Sequence, residues 1–443
     1  MRYWVLSTIL HLYFIKRSLP LCVFFSTTEG EKRSLHPLFT GEVRPVLPGL
    51  ATFSRQVVVF SPSDPRSALM YRYLIVLTFA QAASFLGWSA LHTNFAVEIA
   101  GLSGVQNGIV HSVREIPGLL SIGVVVLLLF MSEVTLTTVA MLVCGIGVMA
   151  AGWFPTFEGQ MFWTLILSFG FHFFEATNQS LTLQYFNKAE APLVISRLRA
   201  TTAAGSFFMG VVILLLSNHL PYEWLFAIAG SFALAASLWA MTQRPTNAAL
   251  PVQKRGVVIK ARYWLFYVLT GLAGSRRQIF TVFSIFLMVQ HFGFTLTEMS
   301  FLLLFNNLVN WFLNPYIGKA INAFGEKPLL TGKYIVVILC CIGYVFCNSP
   351  WQAALLYIID QLMFCFTISI RTFFQKIAAP EDIAPSMALG VTINHIAAVA
   401  VPLVGGMLWM VDYRIPFLMG VVLSLCSLIM VRCMPAQFSR ASA

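Results

Sequence analysis

The sequence predicts an all-α membrane protein with twelve transmembrane helices in two six-helix pseudo-repeats. Three observations support this fold class: the composition, the number of long apolar runs, and the distribution of basic residues between these runs. The chain of 443 residues is 58% hydrophobic and 10% charged, whereas soluble globular proteins carry about 25% charged residues. Runs long enough to cross a bilayer, which takes about 20 residues, occur at 72–96, 105–131, 133–154, 160–184, 196–218, 221–241, 262–290, 295–318, 329–348, 351–376, 385–411 and 415–433.

Basic residues fall almost entirely on one side of these spans. If the segment before the first span is cytoplasmic, sixteen basic residues near the membrane lie on that side, and Arg414 lies on the other. The sixteen are Arg66, Arg72, Lys188, Arg197, Arg199, Arg244, Lys254, Arg255, Lys260, Arg262, Lys319, Lys327, Lys333, Lys376, Arg432 and Arg440. Because cytoplasmic loops are enriched in Lys and Arg, we predict a multi-pass protein of the plasma (cell inner) membrane with both termini cytoplasmic. The same bias accounts for the net charge of +11 without a nucleic-acid partner.

A polar, basic segment divides the spans into two sets of six. Residues 242–261 contain this segment, which we interpret as a cytoplasmic linker. The N-terminal half is then 70–241 and the C-terminal half is 262–435, followed by a cytoplasmic tail at 436–443. The two halves form the predicted domain organisation of the membrane region.

The segment before the first span does not fit this pattern. Residues 1–69 mix short apolar patches with basic residues, and no run among them is long enough to span a bilayer. We expect this N-terminal extension to be disordered. Met70 stands directly before the first span, so a start of the natural protein at Met70 is an alternative.

The two halves carry related sequences. "LQYFNKAEAP" (183–192), at the end of span 4, matches "RTFFQKIAAP" (371–380), at the end of span 10, at an offset of 188 residues. The starts of the halves also agree, with "RYLIVLT" from Arg72 and "RYWLFYVLT" from Arg262. Matches at equivalent places predict an internal repeat, an arrangement found in transporters whose site lies between the repeats.

The loop between spans 8 and 9 carries a family motif. It reads "GKAINAFGEKPLL", beginning with Gly318 and Lys319. Together with the twelve spans, the linker and the repeat, it resembles the Major Facilitator Superfamily. Gly318, Gly325 and Lys327 match that family's cytoplasmic loop motif, and Asn322 stands where an acidic residue is expected. The resemblance implies a central cavity lined by spans 1, 4, 7 and 10, with spans 2, 5, 8 and 11 between the halves and spans 3, 6, 9 and 12 facing lipid.

Charged residues deep in the bilayer do not occur in the spans assigned to lipid. This is expected, because a charged side chain facing the hydrocarbon core is energetically costly. They are Arg114, Glu115, Glu175, Arg276, Arg277 and Asp360. Structural pairing among three arginines and three carboxylates is one interpretation, because an unpaired buried charge is expensive. Arg114 and Glu115 point about 100° apart on a helix, so each is expected to need its own partner.

The two adjacent arginines of span 7 favour a functional interpretation. Their angular separation lets one face the cavity while the other ties span 7 to a neighbour. A guanidinium group in a low-dielectric cavity binds carboxylate or phosphate, so we expect an anionic substrate at Arg276, Arg277 or both. Trp88 and Gln81, seven residues apart in span 1, either contact the substrate or pack in the core.

Glu175 in span 4 and Asp360 in span 10 are candidates to carry a coupling proton, because partly desolvated carboxylates can titrate near neutral pH. His172 lies one turn before Glu175 on the same face, and His395 lies in span 11. Each histidine either belongs to this charge network or is a packed hydrogen-bonding group.

We therefore predict a secondary active transporter that works by alternating access, with proton-coupled transport of a small organic anion as the preferred mechanism. The chain contains no GxSxG, Walker, HExxH or GxGxxG motif, so we do not expect an enzyme. The alternatives are proton-driven efflux of drugs or other solutes, a membrane-embedded lipid-handling enzyme and a sensor. We expect no cofactor, no metal and no nucleic-acid partner, and a monomer in the lipid bilayer.

Overall fold

The computed structural model describes residues 64–439 except 244, 246–248 and 255. Over these residues the protein is helical and contains no β-strand. Twelve helical segments follow one another, as the sequence predicts: α1 (Pro65–Glu98), α2 (Gly104–Leu119), α3 (Glu133–Ala151), α4 (Phe157–Tyr185), α5 (Glu190–Leu216), α6 (Tyr222–Thr242), α7 (Trp264–Gln278), α8 (Leu296–Phe324), α9 (Glu326–Val345), α10 (Pro350–Cys365, continued by Ile368–Ile377), α11 (Ile383–Trp409) and α12 (Ile415–Arg432).

Ten of the helical segments in the described part of the chain are long and apolar enough to cross a membrane. The other two are α4 and α8, which carry polar side chains such as Glu175, Asn178, Asn306 and Asn310. These four side chains line an internal cavity. The lower hydropathy of α4 and α8 therefore reflects an inward-facing polar surface in the bundle.

Helix α1 begins five residues before the predicted boundary at residue 70. The carboxylate of Asp64 caps it by accepting hydrogen bonds from the backbone N–H groups of Arg66 at 3.1 Å and Ser67 at 3.0 Å. Pro65 occupies the first turn, where its missing N–H leaves no helical hydrogen bond unmade. Residues 65–69 thus belong to the first helix rather than to the extension. The expectation of disorder for residues 1–63 lies outside the described residues.

Two helices lose regular α geometry close to the deep charges. Helix α2 contains Pro117 and passes into a 3₁₀ turn at Leu120–Gly123. Helix α7 ends at Gln278, directly after Arg277, and continues as a π-helix over Ile279–Ser284. Proline is a common cause of such breaks, and π-helical turns are frequent at functional sites.

The two ends of the bundle differ in how the halves pack. We call the end that carries the α6–α7 linker the linker end and the other the opposite end. At the linker end, one buried apolar cluster takes residues from both halves, including Tyr73 and Phe186 from the first and Phe373 from the second. At the opposite end each half has its own cluster, containing Phe226 in the first half and Phe417 in the second. A smaller cluster, with Ala176 from the first half and Val391 from the second, also joins the halves, so the described apolar contacts between the halves lie at the linker end and mid-depth.

Hydrogen bonds at the linker end join the two copies of the repeated motif. Gln375 is buried, and its Nε2 donates to the carbonyl oxygens of Leu183 at 2.8 Å and Phe186 at 2.7 Å. The Nζ of Lys188 donates to the carbonyl oxygen of Lys376 at 3.4 Å. Since these two lysines are separated by the repeat offset of 188 residues, equivalent positions of the two halves meet here.

The linker lies against the turn between α10 and α11. The backbone N–H of Lys254 donates to the carbonyl oxygen of Glu381 at 2.8 Å, and Oε1 of Gln253 accepts from the backbone N–H of Ala384 at 2.9 Å. The buried carboxylate of Asp382 binds the ammonium groups of Lys254, at 2.8 Å, and Lys260. This hydrogen bond to Asp382 raises the pKa of Lys254, so the contact persists across the physiological pH range.

Candidate functional site

A cavity of about 490 Å³ lies between the two halves. Its described lining comes from α1, α4, α5, α7, α8, α10 and α11, with none from α3, α6, α9 or α12. On α4 the lining extends to Thr182, three residues before that helix ends at Tyr185, so the cavity reaches close to the linker end. The volume suits a small molecule, because ligand pockets measure about 300–1,000 Å³.

The cavity wall carries an excess of positive charge. Arg199, Arg277 and Arg371 contribute guanidinium groups, whereas Glu175 contributes the one carboxylate of the described lining. Within the described part of the chain, no ion pair joins a carboxylate to any of these three arginines. The guanidinium of Arg199 lies over the ring of Phe364, 4.9 Å from its centroid. With histidine neutral, the wall therefore has a formal charge of two positive units.

The sequence predicts Arg277 but not Arg199 as a cavity residue. Arg199 falls among the predicted loop cations because the predicted span 5 starts at residue 196. Helix α5 begins at Glu190, so Arg199 lies more than two turns inside it. Pro192 is the signal that could have found this start, since proline is over-represented at the beginning of helices. Arg371, assigned near the end of span 10, also lines the cavity.

Arg276 lies outside the cavity lining. Its guanidinium is fully buried and donates through Nη1 to Oδ1 of Asp360 at 3.1 Å, which ties α7 to α10. Its Nε and Nη2 have no hydrogen-bond partner among the described residues. Asp360 is 2% exposed and does not line the cavity either. Arg276 is therefore the arginine that ties span 7 to a neighbouring span, one of the two roles expected for this pair, and its partner is Asp360, a candidate for proton coupling.

A second buried cation lies near this pair. Lys333 on α9 is 2% exposed, and its Nζ donates to Oγ1 of Thr367 at 2.9 Å. Sequence reasoning assigned Lys333 to the membrane surface, because it lies close to the start of an otherwise apolar span. The structure instead turns its ammonium group inwards, towards the break between the two pieces of α10.

The other deep charges form a chain that crosses from one half to the other. Arg114 and Glu115 pair with each other, with Nη2 2.6 Å from Oε1, which corrects the expectation that each needs a separate partner. Oε2 of Glu115 lies 3.0 Å from Nδ1 of His395 on α11. The His395 ring packs edge-on against His172, with centroids 4.3 Å apart, and Nδ1 of His172 lies 3.8 Å from Oε2 of Glu175. Both histidines therefore lie in contact with these charged groups.

Two glycines let α11 approach its neighbours closely enough to build this arrangement. A Cβ atom at Gly118 of α2 would lie 2.5 Å from the ring of His395, and one at Gly274 of α7 would lie 2.9 Å from the side-chain amide of Asn394. Both distances are below any real Cβ contact, so a side chain at either position would push α11 away. Small residues serve the same purpose at many membrane helix contacts.

The two predicted residues of span 1 have different environments. Gln81 lines the cavity. Trp88 is fully buried outside it, stacks on His92 with centroids 4.8 Å apart, and lies 5.7 Å from the guanidinium of Arg114. Of the two interpretations of Trp88, its surroundings match packing in the core, beside Arg114.

The loop motif organises the linker end. Gly318 lets α8 meet α5, since a Cβ there would lie 2.4 Å from the carbonyl oxygen of Pro192. Nδ2 of Asn322 donates to the carbonyl oxygen of Ala189 across the halves at 2.7 Å. Gly325 has φ of 80° at the turn from α8 to α9, and Nζ of Lys327 donates to the carbonyl oxygen of Met434 at 2.6 Å.

Lys319, the remaining predicted residue of the motif, lies on the last turns of α8. Its Nζ is 5.5 Å from the ring centroid of Tyr316 on the same helix. It does not line the cavity. The motif as a whole therefore joins helices at the linker end and stands apart from the cavity wall.

Comparison with known proteins identifies the architecture. A family model described as Major Facilitator Superfamily matches residues 73–402. No curated protein sequence matches the chain significantly.

Solved structures agree with the family match. The E. coli fucose:proton symporter FucP superimposes with a TM-score of 0.67 at 13% identity, over 83% of this chain and 98% of that one. FucP in the outward conformation gives 0.66 at 14% identity, over 83% and 99%. The human organic anion transporter MFSD10 gives 0.63 at 13% identity, over 83% and 100%. The similarity covers the whole membrane region and is one of fold.

Proposed function

Because this chain belongs to the Major Facilitator Superfamily, we propose that it is a secondary active transporter that moves a small organic anion by alternating access. The observation that carries this proposal is the charge of the cavity wall. Three arginines and one glutamate line a cavity between the halves of an integral, multi-pass membrane protein.

The chemistry of the guanidinium groups supports an anionic substrate. Each group is planar, permanently charged, and able to bind a carboxylate or phosphate through two parallel hydrogen bonds. None of Arg199, Arg277 and Arg371 is occupied by a carboxylate of the described chain. A bound anion supplies the negative charge that these partly desolvated cations lack, and charges removed from water need such pairing.

The rest of the wall suits the organic part of such a ligand. Aromatic side chains and amides alternate around the charged groups, and they include Phe85, Phe171, Phe174, Phe266, Phe364, Asn306, Asn310, Gln361 and Asn394. Aromatic rings provide apolar contact area, while a few convergent polar groups fix a ligand's orientation. An aliphatic or aromatic carboxylate fits this combination better than an inorganic ion does.

Two proteins of similar structure agree with the proposal in their named activities. MFSD10 is an organic anion transporter and FucP is a fucose:proton symporter. Their identity to this chain is 13%, so their substrates do not transfer to it. The proposal for this chain rests on its own cavity.

We assign proton coupling to Glu175, which makes the transporter a symporter. Glu175 is the one carboxylate of the described lining, and its side chain is 34% exposed, whereas the carboxylate of Asp360 is held by Arg276. Nε2 of Gln179 donates to its Oε1 at 3.1 Å. A carboxylate that shares the cavity with the substrate can exchange its proton from the same aqueous side, which coupling requires.

The packing of the halves supports alternating access. The halves share a core and hydrogen bonds at the linker end, and have separate cores at the opposite end. We interpret this arrangement as the state closed at the linker end. Release of Gln375, Lys188 and Asn322 from their carbonyl partners would accompany the rocking of one half against the other.

The test is a ligand screen of the purified protein by thermal unfolding, followed by uptake into proteoliposomes. Organic carboxylates or phosphates are expected to raise the unfolding temperature of the wild type. Arg277→Ala should abolish this stabilisation and reduce uptake at least tenfold, because hydrogen bonds to charged groups contribute about 1.5–3 kcal/mol. Arg72→Ala is the matched control, since Arg72 is an exposed arginine outside the cavity.

Stabilisation by neutral or cationic compounds alone would contradict the anion assignment and would favour drug efflux. Equal loss of uptake in Arg277→Ala and Arg72→Ala would remove the cavity arginine from the mechanism.

A further inference from the structure

Three potential metal ligands meet at mid-depth between the halves. Glu115 on α2, His172 on α4 and His395 on α11 each place one ligand atom so that the three atoms lie within 4.8 Å of one another. We propose that these residues form a site for a divalent transition-metal ion, preferentially Zn²⁺, that bridges the two halves. This site replaces the sequence-based expectation of no metal, and it does not depend on what the cavity transports.

The histidine of α4 provides a second, independent observation. His172 is 4% exposed, and its Nδ1 has no hydrogen-bond partner among the described residues. The nearest charged atom, Oε2 of Glu175, lies 3.8 Å away. A buried polar nitrogen normally has a partner, so this nitrogen has capacity for a ligand beside Glu115 and His395.

The charges around the cluster favour a cation. The ion pairs that join the cluster contain two carboxylates, those of Glu115 and Glu175, and one guanidinium, that of Arg114. These paired groups carry one net negative charge when the imidazoles are uncharged, and the arginines of the cavity wall are not among them. Arg114 occupies only Oε1 of Glu115, which leaves Oε2 directed at His395. A hydrogen-bonded carboxylate of this kind is oriented for ligation.

The ligand set selects the class of ion. Two imidazoles and one carboxylate suit zinc and neighbouring transition metals, whereas magnesium and calcium prefer oxygen ligands alone. Zinc–nitrogen bonds are about 2.0–2.1 Å long and the coordination is tetrahedral, so two ligand atoms on one ion lie about 3.4 Å apart. The three ligand atoms, which lie within 4.8 Å of one another, must therefore draw closer by rotation of their side chains when the ion binds. The metal takes the place of the hydrogen bond between Oε2 of Glu115 and Nδ1 of His395, and the proton of that bond moves to the other ring nitrogen or is released to solvent.

The position of the site determines how an ion reaches it and what the binding of that ion does to the protein. His395 also lines the cavity, so an ion reaches the cluster through the cavity. Two ligands come from the first half and one from the second, and metal binding therefore stabilises the arrangement in which the halves are close. Anything that binds only this arrangement raises its apparent stability by mass action.

The test is Zn²⁺ binding by the purified full-length protein after treatment with a chelator. Calorimetry is expected to show one ion per chain in the wild type and in His219→Ala, which changes an exposed histidine outside the cluster. His172→Ala and His395→Ala, one in each half, should each weaken binding at least about tenfold. Zn²⁺ should also raise the thermal unfolding temperature of the wild type and of His219→Ala only.

A variant that fails to fold would be recognised by its elution in size-exclusion chromatography. X-ray absorption of the zinc-loaded wild type then identifies the ligands without any variant. The spectrum should show two imidazole ligands at about 2.0–2.1 Å. The proposal is overturned if the wild type binds no zinc, if both histidine variants bind it as tightly as His219→Ala, or if the spectrum lacks imidazole. None of these readouts involves transport, so they stand apart from the test of the anion transporter.

Discussion

Arg276 and Arg277 are neighbours in sequence, but they belong to two different regions of the molecule. Arg276 points into the dry interface between α7 and α10, where Asp360 binds it and both side chains are buried. Arg277 points into the cavity between the halves, where no carboxylate of the described chain pairs with it. A rotation of about 100° between successive residues of a helix separates the two environments.

The comparison shows that the surroundings of a membrane arginine decide its role. A buried pair holds two helices together, and its removal leaves a charge that the interior cannot solvate. A cavity arginine is partly exposed and holds no ion pair between helices, so its removal is expected to cost binding and little stability. A substitution or a change of salt should therefore affect either the buried ion pair or the cavity arginines, and leave the other unchanged.

The largest effect is expected for Asp360→Asn. The substitution leaves Arg276 charged and buried without its partner, which should lower the free energy of unfolding by about 3–5 kcal/mol. Thermal unfolding in detergent measures this loss. The double variant Arg276→Met with Asp360→Leu should recover most of it, because an apolar pair of similar size removes both charges. An Asp360→Asn protein as stable as the wild type would show that the pair does not hold α7 to α10.

On the cavity side, Arg371→Gln should weaken anion binding with little change in stability. Loss of one charge-assisted contact is worth about 1.5–3 kcal/mol, or roughly 10- to 100-fold in affinity. Ligand-dependent thermal shifts or equilibrium binding measure the change. Lys319→Gln removes a cation outside the cavity and should bind as the wild type does. Equal weakening in both variants would mean that overall charge, rather than the cavity wall, attracts the anion.

Glu175→Gln should change affinity in the opposite direction. Removing the one negative charge of the described lining reduces repulsion of the anion, by about 1 kcal/mol or roughly fivefold if the charges are about 4 Å apart in a water-filled cavity. The same variant should lose accumulation driven by a proton gradient while retaining exchange of labelled for unlabelled substrate. Accumulation equal to that of the wild type would assign the proton to another group.

Salt should produce the smallest effect and should act on one region only. Raising the ionic strength from about 0.1 M to 1 M shortens the screening length from about 10 Å to 3 Å. Anion affinity should then fall by a few fold, because the arginines of the cavity are partly exposed. The stability difference between the wild type and Asp360→Asn should stay constant, because both side chains of the ion pair are buried. A salt-dependent stability difference would place water at the pair.

The contrast between the two arginines could be predicted only in part from the sequence. Apolar runs gave the twelve helices, and helical geometry gave the angle between Arg276 and Arg277. The rotation of α7 about its own axis, which decides which arginine faces the cavity, could not be obtained in the same way. In a soluble protein an apolar stripe marks the buried face, but in a membrane both lipid and protein interior are apolar. Which arginine faced the cavity therefore had to come from the structure.

The cavity residues were found where their depth could be read from the sequence. Glu175 and Gln81 lie in the middle of their spans and line the cavity as expected. Arg199 lies near the start of α5, where basic residues normally mark the membrane surface, and this rule concealed it. Trp88 and Asp360 were at the right depth but face other helices. The depth of a residue in the membrane could be predicted from its position along a span. Its contact partners depend on how the helices pack and could not be predicted in this way.

The hydrogen bonds that close the linker end depend on the side chains of their donors but not on those of their acceptors. Gln375, Asn322 and Lys188 all donate to main-chain carbonyl oxygens, those of Leu183, Phe186, Ala189 and Lys376. Every amino acid supplies such an acceptor. The hydrogen bonds therefore place no requirement on the side chain of an accepting residue, although packing does so where that side chain lies in the shared core, as at Phe186. These hydrogen bonds are therefore lost most directly by substitution of the three donors, whereas the accepting side depends on the apolar packing that holds its backbone in place.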